Sequence, residues 1–262
     1  MGLLSPFLLH RLDIWHAGLR RYIDNKLTLA PLERPKRILD LGSGSCAWLI
    51  EAAEVYADAE LVAVDADPPP ARPLPRNLRY EQRNILDPFP PSWIASFDVV
   101  HCRFILCHLP NVQAILPRVI ALLRPGGWLL ADDADCRSVV ENAPAVGQCM
   151  SLYINSMLAR GQDPHIGASL AQLLQATDQF DEVNTRTACI PVNPAAVHDP
   201  KLKMLTETML RAYTYAIQYT LPKTIYALTP ELRRQWREET ARTSEDWRCN
   251  QLFTWTWSRK RF

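Results

Sequence analysis

The strongest constraint on this chain is a short apolar segment that ends in two closely spaced glycines. Residues 38–41 read Ile-Leu-Asp-Leu, Gly42 and Gly44 follow, and a helix-like segment begins at Ala47. A strand, a tight turn and a helix N-terminus in this order bring backbone N–H groups close to a ligand. The sequence therefore predicts a ligand site at the end of the first strand.

Strand-like and helix-like segments alternate through the first half of the chain. Apolar segments predict strands at 37–41, 60–64, 78–82, 97–101 and 128–131, the last after a turn at 125–127. Helical spacing of apolar residues predicts helices at 6–24, with Ser5 as the cap, and at 46–57 and 111–123. This alternation with short connections predicts an α/β fold, a parallel sheet with helices on both faces.

The second half alternates less clearly. Helices are predicted within 138–178, interrupted between Gly161 and Gly167, and at 201–219 and 230–243. Strands are predicted at 183–190 and at 251–259, where alternating apolar and polar residues suit a position near a sheet edge. We expect one domain with four parts: an N-terminal helical cover (1–34), a cofactor-binding core (35–135), an inserted helical cap (136–180) and a part that completes the sheet and the substrate side (181–262).

Composition limits the class of partner. The chain has 29 basic and 28 acidic residues, a net charge of +1, which gives no bulk attraction to nucleic acid or to a membrane. No apolar segment approaches the ~18 residues of a membrane span. Seven cysteines without a CxxC pair indicate reduced thiols. We expect a cytoplasmic protein that binds a small molecule; its oligomeric state does not follow from the sequence.

Polar residues recur where the predicted strands end. Asp65, at the end of the second strand, can accept hydrogen bonds from both hydroxyls of a ribose. After the third strand, the amide oxygen of Asn84 could accept from an adenine amino group, and Ile85 could pack on the ring. Asp40, beside the glycine turn, would repel a pyrophosphate and suits a cationic group such as a sulfonium. This charge favours S-adenosylmethionine over a dinucleotide.

The same segments carry a family resemblance. Four of them resemble the class I S-adenosylmethionine-dependent methyltransferases: Ile38-Leu-Asp-Leu-Gly-Ser-Gly44, Val62-Ala-Val-Asp65, Phe97-Asp-Val-Val-His101 and Leu123-Arg-Pro-Gly-Gly-Trp128. Three flanking segments are similar to the LaeA-like methyltransferases of secondary metabolism: 11–16, 26–31 and 199–203. Two positions depart from the pattern, because Cys46 replaces the usual third glycine and Asn84 replaces the commoner aspartate.

The resemblance implies a Rossmann-like sheet, S-adenosylmethionine as cofactor, and a role for each motif residue. Asp40, Gly42 and Gly44 would cradle the methionine end of the cofactor, Asp65 its ribose, and Asn84 and Ile85 its adenine. His101 and Arg103 would border the methionine carboxylate and the transferred methyl group. Arg11 and His16 would lie on a helix that closes over the cofactor.

Methyl transfer from a sulfonium requires alignment and exclusion of water, and it requires a base only if the acceptor holds a proton. His108, just past the fourth strand, is the first candidate base, with a capping or core role as the alternative. His16 is the second, with helix packing as its alternative. Asp132, Asp133 and Asp135 could bind a metal, but no other ligand spacing supports one, so we expect a solvated strand end and no metal.

Aromatic and methionine side chains could line an apolar acceptor pocket: Tyr153, Tyr213, Tyr215, Tyr219, Met150, Met157 and Met204. We therefore expect a methyltransferase that acts on a small natural-product-like acceptor in secondary metabolism, at oxygen, nitrogen or carbon. Two alternatives stay open. One is a cyclase or pericyclase that binds the cofactor on the same fold, and the other is a non-enzymatic LaeA-like regulator.

Overall fold

The computed structural model describes residues 6–262, and side chains from Arg11 onward, so the predicted cap Ser5 lies outside the described residues. The helices are α1 (Pro6–Tyr22), α2 (Ala47–Val55), α3 (Val112–Leu122), α4 (Pro144–Leu158), α5 (Ile166–Ala176), α6 (Pro200–Tyr215) and α7 (Pro230–Thr240). The strands are β1 (Arg37–Leu41), β2 (Glu60–Asp65), β3 (Leu78–Gln82), β4 (Phe97–Arg103), β5 (Leu123–Asp135), β6 (Val140–Glu141), β7 (Phe180–Pro191) and β8 (Arg248–Lys260).

The strands form a sheet in the order β3-β2-β1-β4-β5-β8, with β7 paired to the far side of β8 and the short β6 to its beginning. Strands β1 to β5 pair in parallel, and β8 is antiparallel to both β5 and β7. The direction of winding reverses between β1 and β4. Ligands bind to open α/β sheets at this reversal, outside the carboxyl ends of the strands.

Most predicted elements are confirmed, and two differ in an informative way. The turn predicted at 125–127 lies inside β5, because Leu123 already pairs with Phe97 before Trp128 pairs with Val99. The β5 residues between these two pairs, 124–127, form a bulge, in which Gly126 has a φ of +74°. The helix predicted to run to residue 219 ends at Tyr215 and continues as a π-helical turn over 216–220.

Side chains of β1 alternate between two cores, which explains the helices on both faces. Leu39 packs in the core that contains α3 and α5, and Ile38 packs in the core that contains α2. Asp40 has the same parity as Ile38 and therefore points to the α2 side. A third core joins α1, α6 and aromatic residues of β8.

Two ion pairs hold α1 in place over the carboxyl ends of the strands. Asp13 pairs with Arg72 in the loop after β2, and Arg20 pairs with Glu51 on α2. Leu12, the residue before Asp13, lies against the glycine turn at Gly44. Helix α1 therefore covers the ligand edge of the sheet. Among the helices described, none is both long and apolar enough to cross a membrane.

Gly167 allows α5 to approach β5 closely, and this contact can be tested. A Cβ atom at Gly167 would lie 2.6 Å from the carbonyl oxygen of Asp133 and 2.8 Å from that of Ala134. We expect Gly167→Ala to lower the free energy of unfolding by ~1–3 kcal/mol, because backbone atoms cannot yield as a flexible side chain would.

Gly147→Ala in α4 is the matched control, since its Cβ would meet only Val140 at an ordinary 3.5 Å. There we expect a gain of up to ~1 kcal/mol from helix propensity. Urea denaturation measures both variants. Equal stabilities of the two would contradict the close approach of α5 to β5.

Candidate active site

The glycine turn after β1 is held by the end of β2. The backbone N–H groups of Gly42 and Ser43 donate to the carbonyl oxygen of Val64, at 2.8 and 3.0 Å, and that of Gly44 donates to the Asp65 carboxylate at 2.8 Å. Gly42 and Gly44 have φ angles of +73° and +52°. A Cβ on Gly42 would lie 2.7 Å from the side chain of Ile105. The turn therefore requires glycine for both conformation and space.

Cys46 caps α2 in the left-handed conformation, with a φ of +58°, at the position where related turns have a third glycine. Its side chain is fully buried, and its thiol contacts the hydroxyl of Ser43 at 3.8 Å. Burial raises the pKa of the Cys46 thiol to about 12, so the thiol stays protonated. Cys46 thus acts as a small apolar residue in a strained position.

A buried histidine lies below the turn, on the neighbouring strand. His101 is paired in register with Asp40 across β1 and β4, and its Nδ1 is 2.7 Å from the Asp40 carboxylate. The ring of Trp48, from α2, stacks on His101 with 3.9 Å between centroids and 8° between planes. The Nε2 atom of His101 is buried without a hydrogen-bond partner. Asp40, Trp48 and His101 all line the same cavity, and the Asp132 carboxylate lies 3.9 Å from Nε2 of His101.

Arg103, two residues further along β4, forms no ion pair with the Asp or Glu side chains described at the site. Its guanidinium donates to Nδ1 of His16 at 3.2 Å, and Nε2 of His16 lies 2.8 Å from Glu51. Because Nδ1 accepts, Nε2 carries the proton and donates to Glu51. Burial, followed by the positive charge of Arg103, lowers the pKa of His16 to about 3. His16 is therefore neutral and engaged at both nitrogens.

These groups line one cavity of about 360 Å³, within the usual range for small-ligand sites. We call one group of lining residues, at the glycine turn and the strand ends beside it, the cofactor lobe: Asp40, Gly42, Ser43, Gly44, Ser45, Trp48, Asp65, His101 and Arg103. We call a second group of lining residues the acceptor lobe: Phe104, Ile105, His108, Tyr153, Met157 and Tyr213. Three side chains of α1 also line the cavity: Arg11, Leu12 and Trp15.

The acceptor lobe contains Tyr153, Tyr213 and Met157 of the set that the sequence proposed for it. The rest of that set, namely Tyr215, Tyr219, Met150 and Met204, does not line this cavity. Phe104 packs between Trp15 and Phe253, with ring centroids 5.2 and 5.0 Å away. The lobe is therefore mostly apolar, and the hydroxyl of Tyr213 is already used in donating to Gln251.

His108 lies in a short 3₁₀ turn and lines the acceptor lobe. The residue is exposed at the surface, but enough protein surrounds its imidazole ring that desolvation is the largest influence on its pKa. Burial, then the charges of Arg11 and Arg160, lower the pKa of His108 to about 4. The imidazole is neutral near pH 7 and is a weak base.

Some predicted site residues lie elsewhere. Asn84 is exposed, and its side-chain oxygen accepts from the backbone N–H of Leu86. Ile85 is buried in the core, and neither residue lines the cavity. His16 also lies outside the cavity lining. The adenine role of Asn84 and Ile85 stays a prediction, and the contacts of His16 favour its alternative role in helix packing.

The acidic residues, which were expected after the fifth strand, lie inside the end of β5 and are not a solvated strand end. Asp133 and Asp135 are each 1% exposed. Asp133 accepts from the backbone N–H groups of Cys107 and Ala134, and Asp135 pairs with Arg137. In residues 11–262 no group of three or more His, Cys, Asp or Glu is arranged to hold a metal ion. These carboxylates fix the local backbone.

The residues of the cofactor lobe fit a sulfonium nucleoside. The positive-φ glycine turn lines the cavity, and Asp65 presents a half-buried carboxylate to it. Burial raises the pKa of Asp65, opposed by the N–H groups of Asp67 and Gly44 that donate to it. Asp40 supplies negative charge beside the turn and also lines the cavity.

Several cavity residues are not predicted from the sequence, among them Trp48, Leu12 and Phe104. Trp48 follows the turn by two residues and could have been found from its place in the first turn of α2. Leu12 and Phe104 gave no usable signal, because an apolar residue on an amphipathic helix or after a strand looks like any core residue. Their contact with the cavity depends on how α1 folds over the sheet.

The strain at Cys46 gives a first test of this site. We expect Cys46→Gly to be more stable than Cys46→Ala by about 1 kcal/mol, because only glycine adopts the left-handed conformation without a steric cost. Both variants lose the buried thiol, so their difference isolates the backbone term. Thermal or urea unfolding measures it, and a more stable alanine variant would show that position 46 is unstrained.

The neutrality of His16 gives a second test. Below pH 6.5 the unfolded chain binds a proton that the folded protein does not accept until about pH 3, so this residue makes stability fall as the pH falls. Between pH 7 and pH 5 the free energy of unfolding of the wild type should drop by about 2 kcal/mol relative to His16→Gln.

The comparison with the variant is needed because Asp132 and Asp133, whose burial raises each pKa to about 6, act in the opposite direction. Urea unfolding at several pH values supplies the data. Parallel pH curves for the two proteins would mean that His16 is protonated in the folded state.

Comparison with known proteins adds independent information. Residues 14–179 match the model of a family described as a methyltransferase domain. Methyltransferase str2 of Strobilurus tenacellus is 42% identical over 90% of this chain and 87% of its own. Methyltransferase str3 of the same organism is 46% identical over 79% of this chain and 75% of its own.

Solved structures share the fold at low sequence identity. The phosphoethanolamine N-methyltransferase 2 of Haemonchus contortus, in complex with S-adenosyl-L-methionine, aligns with a TM-score of 0.52 at 16% identity, over 97% of this chain and 52% of that one. The [4+2]-cyclase SpnF aligns with a TM-score of 0.53 at 13% identity, over 94% and 81%. The chain belongs to the methyltransferase domain family and is a class I S-adenosylmethionine-dependent methyltransferase with a Rossmann-like sheet.

Proposed function

We propose that this enzyme methylates a small, largely apolar, natural-product-like molecule of secondary metabolism, bound in the acceptor lobe. One observation carries the proposal: a single cavity joins the glycine turn of the cofactor lobe to a second, apolar lobe. A protein that only bound the cofactor would have no use for the second lobe. The two lobes together provide for two ligands held side by side, which is the requirement of a displacement reaction.

The residues of the cofactor lobe would divide the binding of S-adenosylmethionine among them. Asp65 would hold the ribose hydroxyls, and the turn from Gly42 would hold the methionine part. Arg103 would pair with the methionine carboxylate, and Asp40 would favour the cationic centre. When bound, the cofactor supplies an electrophilic methyl group on a sulfonium.

On the acceptor side, apolar and aromatic side chains exclude water and orient the acceptor. Phe104 and Met157 provide the apolar surface, and Trp15 on α1 covers it. His108 is the remaining candidate base. Its neutral ring can accept a proton, but a base with a pKa of about 4 serves only an acceptor that is itself acidic.

The finer assignments stay within this proposal. Membership of the LaeA-like group rests on the flanking segments of the sequence. A cytoplasmic location is supported by the cysteines, all seven of which are free of disulfides. A cyclase reaction on the same fold is the alternative, and the similarity to SpnF supports only the shared fold.

Calorimetry and product analysis test the proposal together. We expect S-adenosylhomocysteine to bind the wild type and Asp65→Asn to bind it ~10–100-fold more weakly, because the charged acceptor of the ribose hydrogen bonds is lost. Asp58→Asn, whose carboxylate is 91% exposed on the surface, is the control and should bind normally.

Turnover decides between transfer and cyclisation. With S-adenosylmethionine and a panel of small acceptors, the wild type should release S-adenosylhomocysteine in step with methylated product. A rearranged product without that release would favour a cyclase. Unchanged affinity of Asp65→Asn would remove Asp65 from the site.

A further inference from the structure

Arg11 is a cation in the cavity without a counter-charge. It lines the cavity from α1, and its Nε atom is buried without a hydrogen-bond partner. Burial lowers the pKa of Arg11, and Tyr153 and Tyr213 of the acceptor lobe are near enough to act on it electrostatically. The charge of Arg11 in turn lowers the pKa of His108. Arg11 is therefore close to the acceptor lobe.

No acidic side chain compensates this charge. Across residues 11–262, whose side chains are described, no Asp or Glu forms an ion pair with Arg11. Residues 1–10 contain no Asp or Glu at all. Two other arginines around α1 have such partners: Arg20 pairs with Glu51, and Arg72 pairs with Asp13. A partly buried guanidinium without an anion is costly, so the missing anion is expected from a ligand.

The cofactor does not account for both cavity cations. Arg103 also lines the cavity, and it lies on β4 close to His101, in the negative field of Asp132 and Asp40. S-adenosylmethionine has a single carboxylate. If Arg103 holds that carboxylate, the cofactor offers no anionic partner to Arg11. The family resemblance implied a cofactor role for Arg11, and this charge count argues for a different one.

We propose that the acceptor is an apolar molecule with an acidic oxygen group, ionised at neutral pH, and that Arg11 pairs with this group in the acceptor lobe. The planar guanidinium matches a carboxylate with two parallel hydrogen bonds. The apolar body of the acceptor would lie against Phe104 and Met157. This inference rests on the proposed function, since it identifies the substrate class of the same lobe.

An acceptor of this class also fits the weak bases of the site. A group that is already ionised needs no base to prepare it for methylation. His108 has a depressed pKa, and His16 is engaged with Glu51 and Arg103. Neither residue is well suited to remove a proton from a neutral alcohol near pH 7.

A matched pair of probes tests the charge. Naphthalene-2-carboxylate and naphthalene-2-carboxamide have the same apolar body and differ in charge, and calorimetry measures their binding to protein saturated with S-adenosylhomocysteine. We expect the wild type to prefer the carboxylate by ~10–100-fold, as for a charge-assisted hydrogen-bonded pair. Arg11→Gln should bind both probes equally, and Arg11→Lys should keep part of the preference.

Arg103→Gln is the control, since it should bind S-adenosylhomocysteine more weakly and keep the preference for the carboxylate. Two results would overturn the inference. One is a wild type that does not prefer the carboxylate, whether it binds both probes equally or neither. The other is an Arg11→Gln variant that keeps the preference for the carboxylate probe and loses affinity for S-adenosylhomocysteine. That result would mean that Arg11 binds the cofactor and not the acceptor.

Failure of the proposed function would look different. The wild type would then prefer the carboxylate probe but release no S-adenosylhomocysteine with any acidic acceptor. Thermal unfolding of each variant identifies any that has lost the fold, and Arg11→Lys preserves both length and charge if Arg11→Gln does not fold.

Discussion

The attachment of the glycine turn to the end of β2 is the contact on which the site depends. Three consecutive N–H groups, from Gly42 to Gly44, are held by the carbonyl oxygen of Val64 and the carboxylate of Asp65. Because β1 and β2 pair in parallel, the two strand ends lie at the same edge of the sheet. The side chain that would bind the ribose therefore also fixes the backbone that would receive the methionine part.

A second set of contacts joins the cover to the core. His16 connects α1 to α2 through Glu51 and to β4 through Arg103, and it does so as a neutral ring. The same helix supplies Leu12 against the turn and Arg11 and Trp15 to the cavity. The cavity is therefore lined by a helix that is itself held by Glu51 and by Arg103 of the cofactor lobe. Binding of one ligand can in this way organise the surface that meets the other.

The sequence was informative where function depends on neighbours in the chain. The turn from Gly42, the strand-end Asp65 and the sheet itself follow from local patterns, and their prediction agrees with the structure. Contacts between residues far apart in the sequence were not predictable from these local patterns. In the sequence alone, Asp133 and Asp135 resemble an exposed acidic strand end. In the structure they are buried because loops and α5 fold over them.

The same limit applies to the histidines. His16 and His108 were both candidate bases by position, and only packing separates them. One is held between Glu51 and Arg103 outside the cavity lining, and the other lines the acceptor lobe beside a cation.

Charge is distributed unevenly along the cavity, and this distribution constrains what it can bind. Asp40 and Asp65 lie at the turn, whereas Arg103 lies at the end of β4 and Arg11 faces the acceptor lobe. In a site of low dielectric each of these charges needs a partner. A sulfonium amino acid would complement the negative end and one arginine. By the inference drawn for Arg11, a second ligand with its own negative charge would complement the remaining cation, so the charges that line the cavity would favour an acidic acceptor.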